Sequence, residues 1–132
     1  MKLPREAVAA MVAHARRSAP AECCGVLVGA GDRVIEAVPA KNLSPDPNRF
    51  LLDPRTHIAA ERQARGRGLA VVGFYHSHPH SAARPSPTDI AEGSYAEAVH
   101  VIVSLAGSEP SVGVFKIGGD GAKSVPFEVT DE

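Results

Sequence analysis

The sequence has few cysteines, no excess of either charge and no long apolar run, and each shortage removes a class of protein. Its two cysteines are neighbours, Cys23 and Cys24. Adjacent thiols cannot staple distant segments or form a Cys-x-x-Cys metal knuckle, so both are expected to be free and packed inside. Lysine and arginine total 14 against 15 acidic residues, a net charge of -1. Such a balance supplies no field for nucleic acid or for an anionic membrane, and neither is expected as a partner. No stretch reaches the roughly 20 apolar residues of a membrane-spanning helix. The opening segment, Met1 to Ser18, is broken by Lys2, Arg5, Glu6, Arg16 and Arg17 instead of carrying the apolar core of a signal peptide. The expected location is therefore the cytosol. Repeats, low-complexity tracts and interdomain linkers are also missing.

What is present suits one domain over residues 1–132, since that length can bury a core without disulfides. The 44% hydrophobic and 22% charged composition is that of a globular chain. Ala7, Val8, Met11, Val12 and Ala15 recur at helical spacing, predicting an amphipathic helix over 5–17 with Pro4 at its first position and Pro20 beyond its end. Glu22-Cys23-Cys24-Gly25 then leads into a buried strand, Val26-Leu27-Val28, paired as a hairpin with Arg33 to Val38. Asn42 to Asn48 reads as loop and Arg49 to Leu52 as a short strand. Asp53-Pro54 opens a helix to about Arg65, stopped by Gly66 and Gly68. Ala70 to Tyr75 is a central strand with His76 at its exit, and Ser77 to Pro85 is turn-rich. Ser86-Pro87-Thr88-Asp89 has the form of a capped helix start, with the helix expected to run to about Ala98. His100 to Leu105, Ser111 to Ile117 and Lys123 to Val129 read as three more strands, the last two joined by Gly118-Gly119-Asp120-Gly121. Helices interleaved with mixed, mainly antiparallel strands give an α/β or α+β sandwich.

The chemistry concentrates in one segment. His76 and His78 stand at i and i+2, so on extended backbone their imidazoles project to the same side, and Asp89 can reach them from the next helix. Three protein ligands leave the fourth tetrahedral position of zinc open, which is the design of a catalytic site and not of a structural one. Imidazole favours zinc over magnesium or calcium, while two histidines and a carboxylate also suit iron. Water polarised at such an ion needs a carboxylate to take its proton and pass it to the leaving amine, and Glu22 is the candidate. His80 shares the i, i+2 relation with His78 and stands as an alternative ligand to His76. His14, His57 and His100 receive no role. Ser86 and Asp89 would also satisfy a simple capping box.

His76-Ser77-His78-Pro79, a gap of six residues, Ser86 and then Asp89 reproduce the whole signature His-x-His-Pro-x6-Ser-x2-Asp. In this the chain resembles the JAMM (MPN+) zinc metalloprotease family, and in its minimal length the prokaryotic stand-alone type. Glu22-Cys23-Cys24-Gly25 is similar to the family's upstream Glu-x-Cys-Gly. The resemblance implies one zinc ion per chain on His76, His78 and Asp89, with Glu22 activating water and Ser86 hydrogen-bonding the oxyanion. It implies a curved mixed β-sheet flanked by helices, of MPN/JAMM-like and cytidine-deaminase-like architecture. It further implies hydrolysis of the peptide or isopeptide bond after the C-terminal Gly-Gly of a ubiquitin-like partner, here a sulfur-carrier protein. A homodimer is left open. The competing class is a module that binds a ubiquitin-like partner without cutting it. A zinc deaminase would need His-x-Glu and Pro-Cys-x-x-Cys, and neither is present.

Overall fold

Apolar alternation along neighbouring strands sets the architecture of this protein, whose computed structural model describes residues 1–93, 95–119 and 121–131. Strand β1 (Lys2–Pro4) passes directly into helix α1 (Arg5–Ser18), which turns Ala7, Met11 and Ala15 inward. Arg16 and Arg17 occupy its last turn, where cations complement the helix dipole. Strands β2 (Cys24–Ala30) and β3 (Arg33–Ala40) form the expected antiparallel hairpin, with Ala30 opposite Arg33 and Gly31 at φ +59° in the turn between them. Helix α2 (Pro54–Gly66) begins as its sequence dictates, the Asp53 side chain accepting the Arg55 N–H and Pro54 filling the first turn. Next come β4 (Ala70–His78), α3 (Pro87–Ala91), β5 (Val99–Ser104), β6 (Ser111–Gly118), β7 (Gly121–Ser124) and β8 (Glu128–Thr130).

The strands join one mixed sheet in the order β7-β6-β5-β4-β2-β3-β1-β8. Pairing is antiparallel except for β4 with β5 and β1 with both β3 and β8. Strands β7 and β8 are the two edges, yet only Val125, Pro126 and Phe127 connect them. Eight strands laid flat would separate the edges by about 34 Å at ~4.8 Å per strand, whereas three linking residues reach roughly 14 Å. The sheet must therefore curl.

Its two faces carry separate cores. On one, α1 packs Met11 and Ala15 against Leu27, Tyr75, Val101 and Val103. On the other, Ala60 and Ala64 of α2 cover Val26, Val28 and Phe74. Gly25 is required by the first of these packings, because a Cβ there would lie 2.1 Å from the Tyr75 ring.

Several expectations need correction. Arg49 to Leu52 is no strand; only an isolated bridge joins Asn42 to Leu52, and the segment crosses the α2 face as a strap. The helix after Ser86 stops at Ala91 instead of about Ala98, since Gly93 must pass close to β6, where a Cβ would meet Ile117 at 2.8 Å. Ser94, within the expected helix, lies outside the described residues. Lys123 to Val129 divides into β7 and β8, because Pro126 has no N–H to continue a ladder. Asp120 of the expected turn lies outside the described residues. Pro4 is the N-cap of α1 and not its first residue, for β1 precedes it. The central strand also runs further than expected, so His76 and His78 belong to β4 itself.

Candidate metal centre

Strand periodicity places the two histidines. In β4, Tyr75 faces the α1 core while Phe74, two residues before His76, faces the α2 core, so His76 and His78 share the α2 face. Asp89 reaches them from α3. Ser86 caps that helix reciprocally, its Oγ accepting the Asp89 N–H at 3.0 Å while its own N–H donates to Asp89 Oδ2 at 2.9 Å. The cap thus holds the carboxylate as well as starting the helix.

The three ligand atoms converge closely. His76 Nε2 and His78 Nε2 are 3.2 Å apart and lie 3.1 and 3.0 Å from Asp89 Oδ2. Ligands of tetrahedral zinc at ~2.0–2.1 Å are separated by roughly 3.3 Å, so the triangle fits such an ion. The carbonyl of Ala82 stands 2.8 Å from His78 Nδ1. A carbonyl only accepts, so Nδ1 carries the hydrogen and the Nε2 lone pair is turned toward the other two ligands. Burial pulls the pKa of His76 below its ordinary value and favours the neutral ring that a metal needs. Burial would raise Asp89, but the two imidazoles and the Ser86 amide outweigh it and hold the carboxyl well below the usual range. Among the described residues this is the one cluster of three such donors.

Glu22 stands just ahead of β2. Cys24 pairs with His76 and Gly25 with Tyr75, so the antiparallel register, continued two residues, sets Glu22 against His78 on the same face. Its electrostatic environment agrees: burial raises the Glu22 carboxyl to about 7, opposed by His78 and reinforced by Asp89 and Asp46. Its Oε1 is buried without a hydrogen-bond partner among the described residues, a cost that nothing in the packing offsets.

The other histidines do not join the cluster, although His57 and His100 line the cavity beside it. His80 is exposed on the loop and outside the cluster. His14 hydrogen-bonds the Tyr75 hydroxyl at 2.8 Å on the α1 face, and His57 stands 3.3 Å from Glu61. His100 is buried in β5. Cys23 and Cys24 are free and buried, and burial pushes the Cys24 thiol up to about 12, so both are inert packing groups.

Sequence reasoning missed Phe50, whose ring stacks on His76 at 4.4 Å between centroids. No periodicity could reveal it, because Phe50 sits in the irregular strap. The strap also closes one side of a cavity of about 330 Å³ next to His76 and Asp89, lined by Leu52, Phe74, Tyr95 and Ile117. Tyr95 has φ +59°, unusual for a bulky residue, and 60% of it is exposed at this wall.

Residues 4–116 match the family model for prokaryotic homologs of the JAB domain. A desampylase from Haloferax volcanii is 37% identical over 111 residues, covering 79% of this chain and 80% of that protein. A CysO-cysteine peptidase from Mycobacterium tuberculosis is 38% identical over 99 residues, covering 74% and 68%. Among solved structures, a protein from Desulfitobacterium hafniense superposes with a TM-score of 0.90 at 33% identity, covering 99% of this chain and 93% of the other.

Proposed function

The chain belongs to the family of prokaryotic homologs of the JAB domain, and from that premise we propose that it is a zinc-dependent peptidase or isopeptidase. Its substrate is a ubiquitin-like sulfur-carrier protein, cut after the C-terminal Gly-Gly. The observation that carries this reading is the convergence of His76, His78 and Asp89 on the face where Glu22 is half-buried. The names of the two curated relatives, a desampylase and a CysO-cysteine peptidase, support the hydrolase class and the kind of substrate.

His76, His78 and Asp89 would hold the ion, which when bound would supply a Lewis acid for the attacking water and the scissile carbonyl. Each remaining role falls to a residue of the chain. Glu22, half-buried on the face that His76 and His78 share, is placed to take a proton from the attacking water and return it to the leaving amine. Ser86 keeps Asp89 oriented through its backbone N–H, and its Oγ, already accepting from Asp89 N, retains a hydrogen to offer the developing oxyanion. An extended tail would lie along the cavity beside His76 and Asp89, where glycines suit a narrow approach.

The test is hydrolysis of a carrier fused through Gly-Gly to a reporter, together with metal analysis of the purified protein. Cleavage that stops with a chelator and with Glu22→Ala, and a metal content near one zinc per chain, are expected. Ser86→Ala should lower kcat by about 10²–10³. Tight binding of the carrier without turnover would replace this reading with a non-catalytic module.

A further inference from the structure

We infer that Asn42 is a positioning residue for Glu22, tying the proton-carrying acid to the strap over the metal centre; this rests on the role proposed above for Glu22. Glu22 stands outside the sheet. Cys23 is fastened to β4 by its N–H to Ser77 Oγ and by Ser77 N–H to its carbonyl, but the ladder proper begins at Cys24. The two backbone groups of Glu22 both go to the loop that leads from Asn42 into the strap. Its N–H donates to the Pro47 carbonyl at 2.9 Å, and its carbonyl accepts from Asn42 Nδ2 at 3.0 Å.

The Asn42 side chain uses its full hydrogen-bonding capacity. Nδ2 donates its second hydrogen to the Arg49 carbonyl at 3.0 Å, and Oδ1 accepts from Ser44 N and Leu51 N, each at 2.9 Å. One amide therefore folds the strap and clamps Glu22 to it. Aspartate would keep the two accepting bonds and lose both donors; serine or alanine could not span the four partners. The strap is anchored elsewhere by Phe50 on His76 and by Arg49 to Glu92 at 2.6 Å. With Arg49 and Phe50 secured in this way, the clamp transmits the position of the strap to the acid. Oε1 of Glu22 is buried with no hydrogen-bond partner among the described residues, so no such bond there corrects an error in its backbone. Misplacement by about 1 Å of a group that must transfer a proton costs roughly 10²-fold.

Steady-state and enzyme-excess single-turnover kinetics on the Gly-Gly fusion, with metal content in parallel, test this. Asn42→Ala and Asn42→Asp are each expected to lower kcat by about 10- to 100-fold with KM changed less than about threefold and zinc retained. In a Glu22→Ala background, either change should lower the residual rate no further, since its effect passes through the missing acid. Should Asn42→Ala fail to fold, Asn42→Asp, which keeps the strap's accepting bonds, decides alone. The inference is overturned if Glu22→Ala is inactive while the Asn42 variants keep full kcat, or if they subtract their whole effect again without Glu22. Full activity of Glu22→Ala would overturn the role of Glu22 itself and the inference with it.

Discussion

The two faces of the sheet are made by the same strands and do different work. Along β2 and β4 alternate residues go to opposite sides: Leu27 and Tyr75 to the α1 face, Val26, Phe74, His76 and His78 to the α2 face. The α1 face is closed, with Leu3, Met11, Leu27, Val101 and Val103 excluded from solvent. The α2 face begins as a core over Val26 and Val28 and ends in three candidate ligand atoms, a half-buried acid and an open cavity. One face supplies stability, and its rigidity lets the other hold groups that disfavour folding.

Substitutions on the two sides should separate these tasks. The largest effect is expected from His78→Ala on the ligand side. Loss of an outer partner to a metal ligand already costs about 10–100-fold, so loss of the ligand itself should exceed ~10² in turnover and empty the protein of zinc, read by metal analysis. Met11→Ala on the closed side should do the reverse. Deleting that buried side chain should cost about 2–5 kcal/mol in denaturant unfolding, with kcat and zinc per folded molecule unchanged. A loss of zinc in Met11→Ala would break the separation.

Glu22→Gln sharpens it further, in metal-free protein. The folded carboxyl is raised to about 7 from an unfolded value of 4.5, so the folded state prefers the protonated acid. The resulting cost to stability is absent below pH 4.5, grows as pH rises and is complete above about 7. The amide removes that cost, so the variant should be more stable above pH 7 and unchanged below 4.5. After allowance for solvent screening of a half-buried group, the gain is roughly 1–2 kcal/mol. Equal stability at pH 8 would show that Glu22 is under no strain from its surroundings. The smallest effect belongs to Arg5→Ala. Its pair with Asp131 is exposed at 69% and 86%, and less than about 1 kcal/mol should be lost with no change in turnover.

Much of this was legible in the chain. Helix α1 followed from the recurrence of Ala7, Met11 and Ala15, the start of α2 from Asp53-Pro54, and the β2–β3 hairpin from two apolar runs about a glycine. That His76 and His78 would share a face followed from His-x-His alternation, and the start of α3 from its cap at Ser86. These are local signals, readable because the interaction that produces each one lies within a few residues. The short strands gave no such signal. The three residues of β1 are too few to show a period, and β7 and β8 were merged because nothing near Pro126 says that the next strand will pair with β1 and not with β6. The strap was mistaken for a strand because Phe50, Leu51 and Leu52 are apolar. Their backbone is instead served by the Asn42 side chain, a bond between residues nine apart.

Residue order by itself determined which side chains could ligate a metal and that two of them would face the same way, since extended backbone repeats every second residue. Only the folded chain decided that Asp89 meets both imidazoles at one oxygen, that Glu22 is half-buried on their face, and that Phe50 lies on His76. Those contacts join segments from 11 to 67 positions apart in sequence. No local preference encodes them, because they arise from the antiparallel register of β2 on β4 and from the path of the strap over the sheet.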